Sequence, residues 1–177
     1  MNFYARRFNL YLLLLLALTL AGGCALFKKE KPAPLGTVRI HVESAANLPD
    51  KEKTISVVRS DPVLVTVSPD PFLSEANLLA ARLLEVPGGF AIQLKFNETG
   101  GWVLEQTLAA NPGKHLAIFG QWGDTPADSR WLAAPFIARR IANGILTFTP
   151  DMSRDEAQQF VDRLNNSAKK IQTGSSK

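Results

Sequence analysis

The stretch Gly89-Phe90-Ala91-Ile92-Gln93-Leu94-Lys95-Phe96-Asn97 decides the fold. Phe90, Ile92, Leu94 and Phe96 alternate with Ala91, Gln93, Lys95 and Asn97, and a period of two belongs to a strand with one face in a core and the other in water. Downstream, Thr99 to Ala110 reads as a helix despite Gly100-Gly101 in its first turn, and Asn111-Pro112-Gly113 ends it. Upstream, Pro87-Gly88-Gly89 reverses the chain. Before it, Ser74 stands as an N-cap between Leu73 and Leu78, and Ala76, Leu79, Ala80, Leu83 and Val86 fall at helical spacing. Residues 74–86 are therefore expected to form a helix.

Further out, Thr37 to Glu43 alternates Val38, Ile40 and Val42 against polar neighbours, which places His41 on the polar side. Thr54 to Arg59 and Val63 to Val67 read as strands around Asp61-Pro62, and Ser68-Pro69-Asp70-Pro71 stops the sheet. His115 to Phe119 is a short strand, Gly120 to Arg130 a protruding polar loop, and Trp131 to Ile137 an apolar run broken by Pro135. Asn143-Gly144 is a turn before the last strand, Ile145 to Thr149. Ser153 and Glu156 form a capping box ahead of Ala157, Phe160, Val161 and Leu164 at helical spacing, and from Ser167 the polar tail is expected to fray. Strands with single one-sided helices give an α+β domain, a mainly antiparallel sheet with helices packed on one face.

The amino terminus has a different character. Arg6 and Arg7 precede Leu10 to Ala21, twelve residues in which only Thr19 is polar, and Gly22-Gly23-Cys24 follows. This is the order of an export signal, too short for a helix that must cross a hydrocarbon layer of ~30 Å. Ala21-Gly22-Gly23-Cys24, with Leu20 before it, resembles the lipobox of bacterial lipoproteins. That resemblance implies a lipid on the Cys24 sulfur, cleavage after Gly23 and acylation of the new terminus. Ala25, where a sorting aspartate would retain a lipoprotein in the inner membrane, implies the outer membrane facing the periplasm. The expected organisation is a leader over 1–23, the lipidated cysteine and an extended tether with Pro32 and Pro34 over 24–36, a domain over 37–166 and a tail over 167–177.

Removing Arg6 and Arg7 from 20 basic residues against 16 acidic ones leaves a net charge of +2, without the concentrated basic face of a nucleic-acid binder. Lys28, Lys29 and Lys31 beside the anchor, and Lys169 and Lys170 near the tail, are the clustered charges. The 154 residues that follow the 23-residue leader suffice for one domain burying about 70% of its unfolded surface.

Beyond the Gly89–Asn97 run, Gly100-Gly101-Trp102 through Thr107, Asn111-Pro112-Gly113-Lys114-His115-Leu116-Ala117-Ile118, Ala133-Ala134-Pro135-Phe136-Ile137 and Ile141-Ala142-Asn143-Gly144-Ile145 together resemble the periplasmic head of the SecD/SecDF preprotein translocase subunits, the P1 head subdomain. The resemblance is clearest over residues 63–166. It implies that family's fold and a part in holding an emerging polypeptide outside the membrane. No run here matches the family's membrane helices, and Gly120 to Arg130 is longer than the short acidic turn usual there. The resemblance therefore implies a head module on a lipid tether and no translocation motor.

No reaction is legible. His41 and His115 stand on different strands, the one cysteine is taken by the lipid, and no serine or glycine motif forms a nucleophile elbow or phosphate loop. Glu98 and Glu105 lie one to two turns apart on a helix and could approach each other, as surface helix acids do without function. No enzyme activity, cofactor or metal is expected. Tryptophan and arginine dominate binding hot spots, which makes Trp122, Arg130, Trp131, Arg139 and Arg140 the candidate partner contacts, with Trp122 expected at the surface and Trp131 equally suited to the core. Two readings follow: an envelope lipoprotein that binds a protein or polypeptide segment by the tryptophan loop or a sheet edge, or a structural spacer of an envelope complex.

Overall fold

The computed structural model describes residues 33–44, 53–57 and 62–174; the expected leader, Cys24, Lys28 to Lys31 and residues 45–52, 58–61 and 175–177 lie outside them. Among the described residues, nine strands and two α-helices follow in order: β1 Thr37–Val42, β2 Lys53–Val57, β3 Val63–Val67, β4 Leu73–Ser74, β5 Leu78–Val86, β6 Gly89–Phe96, α1 Glu98–Ala110, β7 Leu116–Gln121, β8 Ser129–Ala133, β9 Ile145–Phe148 and α2 Arg154–Gly174. Every strand pairing is antiparallel. The strands form a four-stranded sheet of order β4-β1-β7-β8, a three-stranded sheet of order β5-β6-β9, and a β2-β3 hairpin.

Ile92, Leu94 and Phe96 of β6 are buried and Lys95 is exposed, as the alternation requires, while Phe90 is half-buried and Ala91 on the other face is buried as well. Ile92, Leu94 and Phe96 join one core with Val38 and Ile40 of β1, Leu116 and Ile118 of β7, Leu104 and Leu108 of α1, and Ala157, Phe160, Val161 and Leu164 of α2. A second, smaller core lies between the β2-β3 hairpin and the other face of the four-stranded sheet, built from Ile55, Val57, Val65, Val67 and Ala117 with Trp131 against it. That hairpin also buries His41, which sequence alternation assigns to a polar face; its Nδ1 lies 2.8 Å from the Ser68 carbonyl. Burial pulls the His41 pKa below its ordinary 6.5.

Two expectations are corrected. Residues 74–86 are not a helix. Ser74 does cap, but only a single 3-10 turn, Glu75–Asn77, before the chain becomes β5. β5 pairs with β6 from Leu78↔Phe96 to Val86↔Gly89 across the two-residue loop Pro87-Gly88, where Gly88 has φ +84°. Leucine and alanine favour helix only by tenths of a kcal/mol per residue, and pairing along a whole strand with apolar burial outweighs that.

The tail from Ser167 does not fray either. α2 continues to Gly174, and Ser167 and Ala168 are buried. The Ser167 hydroxyl accepts from Gly36 N–H at 3.0 Å and lies 2.7 Å from the Gly36 carbonyl, so the first described residues of the domain pack on this part of the helix. No local signal in a Ser-Ala-Lys-Lys stretch carries that long-range contact.

Candidate functional site

The candidate contact residues do not converge. β7 runs on to Gln121, and Trp122 N–H donates to the Asp128 carbonyl at 2.9 Å, folding the loop back on itself. Trp122 is consequently 2% exposed, edge-on to Phe160 of α2 at 6.3 Å. The Arg130 guanidinium carbon lies 4.8 Å from the centre of the Trp122 ring, and the same side chain donates from Nε to the Asp151 carbonyl at 3.0 Å and pairs with Glu156 at 2.9 Å. Burial pushes the Glu156 carboxyl up, but Ser153 N–H, the Ser153 hydroxyl and Arg130 outweigh it and hold it below the ordinary carboxylate value. Trp122 and Arg130 are thus pieces of the α2 packing, which corrects the expectation of a surface tryptophan. Trp131 points through the opposite face, edge-on to His41 at 5.3 Å and Phe119 at 5.5 Å.

Arg139 and Arg140 lie elsewhere, on the rim of a groove of about 630 Å³. Its apolar floor comes from Leu108 of α1, Leu116 of β7, Ile137 and Leu146; one wall is the segment from Phe136 to Asn143 and the other is β9. Arg140 pairs with Glu105 of α1 at 3.3 Å and remains largely exposed, and no acidic side chain among the described residues pairs with Arg139. Phe136, 58% exposed, rests edge-on against His115 at 5.5 Å. His115 Nδ1 in turn lies 2.9 Å from Glu43, whose carboxylate also accepts His115 N–H at 2.9 Å.

The β9 wall is an open edge. β9 pairs with β6 on one side only. Phe96 N–H donates to the Gly144 carbonyl, and Ile145 N–H turns away to Asn143 Oδ1 at 3.1 Å. Antiparallel ladders alternate bonded and non-bonded pairs. Leu146 and Phe148 therefore direct their main-chain groups to β6, while the Thr147 N–H and C=O and the Ile145 C=O face outward. β8 is likewise the edge of its sheet. The chain just beyond β9 returns to β8, where Asp151 N–H donates to the Leu132 carbonyl at 2.7 Å. A cavity of about 260 Å³ lined by Ala133, Ala134, Pro135, Phe148 and Thr149 lies between the ends of β8 and β9, and the groove lies beside β9.

Among the described residues no group of three or more His, Cys, Asp or Glu side chains is placed to hold a metal ion, and no helix is long and apolar enough to cross a membrane. Most of the groove's lining falls within residues 135–147, but sequence reasoning missed it because that irregular segment has no periodicity to show that it stands over Leu108 and Leu116. The one local signal was the short apolar run Ile145 to Thr149 beside Pro135, which marks edges.

This arrangement of antiparallel sheets around two helices defines a class of α+β domains, and known structures narrow it. Two solved chains share the fold: "Crystal structure of SecDF in Super-membrane-facing form", with TM-score 0.55, 20% identity and coverage of 74% of this chain and 19% of that one, and "Structure and function of a membrane component SecDF that enhances protein export", with TM-score 0.53, 19% identity and coverage of 75% and 63%. The fold is thus SecDF-head-like, as the sequence motifs imply, and this chain spans less than two thirds of either structure. No protein-family model matches the chain, and no curated protein does.

Proposed function

We propose that this chain is a non-catalytic envelope lipoprotein, anchored through a lipid on Cys24, whose domain holds an extended polypeptide segment along the open edge of β9 during export or envelope assembly. The observation that carries the reading is the outward row of main-chain groups at Ile145 and Thr147 above an apolar floor, rimmed by Arg139 and Arg140. A strand added there takes main-chain hydrogen bonds from β9 and places alternate side chains on Leu108, Leu116 and Ile137, which is recognition by strand addition. The arginines favour a segment with an acidic residue at the groove mouth. The fold shared with a SecDF component described as enhancing protein export supports the setting.

Thr147→Pro tests it. Proline removes an outward N–H and spares the β6 ladder. Photocrosslinking from position 142 in cells is expected to trap polypeptide in transit with the wild type, and to lose it with Thr147→Pro or Arg139→Glu at unchanged melting temperature. Intact mass is expected to show a lipid increment that Cys24→Ser removes together with membrane association. Silent groove variants beside an essential Cys24 would instead leave a spacer held by its lipid.

A further inference from the structure

The residues that enter the domain from the tether are clamped to the far half of α2. Gly36 N–H reaches both Ser167 Oγ at 3.0 Å and the Arg163 carbonyl at 3.2 Å, and Asn166 Nδ2 donates to the Pro34 carbonyl at 3.0 Å. Beside this clamp lies an open cavity of about 360 Å³ lined by Leu35, Gly36, Thr37, Glu75, Ser167, Lys170 and Ile171. Ile171 continues the buried stripe of Leu164 and Ala168 beyond the core and is 37% exposed; Leu35 is 43% exposed. Glu75, the one acid in the wall, accepts Val38 N–H at 3.1 Å. Lys169 and Lys170 are exposed. The sequence places Lys28, Lys29 and Lys31 just ahead of the clamp.

We infer that this face, Leu35 and Ile171 with Lys170 in the same wall, docks on an anionic lipid surface and fixes how the domain stands on its membrane. The inference rests on the anchoring proposed above. Two observations select lipid over other occupants. The nine peptide steps from Cys24 to Ala33 span at most about 30 Å, so the lipid holds the clamped face within about 30 Å of the bilayer, while the opposite side of the domain can stand a domain's width further away. Its composition, apolar side chains beneath lysines, is that of a surface seated at the headgroup boundary. Each lysine near anionic headgroups shifts the docked-to-undocked ratio about fivefold, and salt weakens the shift.

The test uses the lipidated full-length protein reconstituted in vesicles, with Ile171→Cys carrying a fluorophore, a quencher in the lipid headgroup region, and Leu64→Cys on the β2-β3 hairpin as the comparison site. Stronger quenching at 171 than at 64 in phosphatidylglycerol-containing vesicles, weakened by salt and by Lys169→Glu with Lys170→Glu, supports docking. Equal quenching at the two sites, or quenching at 171 that is the same in pure phosphatidylcholine, overturns it while leaving the anchor in place. Protein whose intact mass carries no lipid on Cys24 overturns the anchoring and the docking together.

Discussion

At the scale of single residues, close packing sets the tolerances. A Cβ on Gly120 would stand 2.5 Å from Leu132 Cδ1 and 2.9 Å from Phe160 Cζ, so β7 crosses α2 at a point where only glycine fits. Gly120→Ala is expected to lower stability by about 1–3 kcal/mol through overpacking, read as a fall in melting temperature. His41 supplies a pH dependence. Burial lowers its pKa in the folded state, so below about 6.5 the unfolded chain binds the proton more readily and stability falls as pH falls. Glu43 and Glu156 are both held below 4.5 and weaken the fold only at lower pH. Urea titrations in neutral and mildly acidic buffer are expected to show lower stability in acid for the wild type and a flatter response for His41→Gln. The sequence identified His41 as a strand residue on the non-core side and both strands of the β2-β3 hairpin; what it lacked was that the hairpin packs over that side.

At the scale of elements, local periodicity was legible wherever a strand or helix has one buried face. β1, β6, α1 and the capped start of α2 lie close to where their patterns put them. β5 was not, because Leu78-Leu79-Ala80-Ala81-Arg82-Leu83-Leu84 fits a helical stripe and a strand alike, and only its partner β6 decides. The finished structure also protects β5 as an edge. Asn165 of α2 accepts Ala81 N–H at 2.8 Å and donates to the Ala81 carbonyl at 3.1 Å, and Arg154 pairs with Glu85 along the same edge. A side-chain amide here stands in for a neighbouring strand, which is one way proteins keep an edge from pairing with another chain. Asn165→Leu is expected to cost about 1–3 kcal/mol for the two unmet main-chain groups and to produce concentration-dependent association in sedimentation. A monomeric variant of unchanged stability would show that the amide guards nothing.

At the scale of the whole molecule, the contrast between its sheet edges carries the functional argument. β5 is guarded by α2, whereas the outer edge of β9 is unpaired among the described residues and faces the groove lined by residues 136–143. Sequence motifs conveyed the sheet-and-helix plan, but the groove depends on how the irregular segment over residues 136–143 stands over Leu108 and Leu116 beside β9, and no local periodicity encodes that. The alternation in β9 makes the proposal testable amide by amide. In the free protein Thr147 N–H faces the groove and is expected to exchange with solvent quickly, while Leu146 and Phe148, bonded to β6, exchange slowly. A bound strand must take up Thr147 N–H first. Hydrogen exchange with and without a saturating extended peptide of alternating apolar residues and one glutamate is therefore expected to slow Thr147 selectively, leaving Leu146 and Phe148 unchanged. Slowing spread evenly over all three would indicate general stabilisation of the domain by binding elsewhere, and no change at Thr147 would remove strand addition as the mode of recognition.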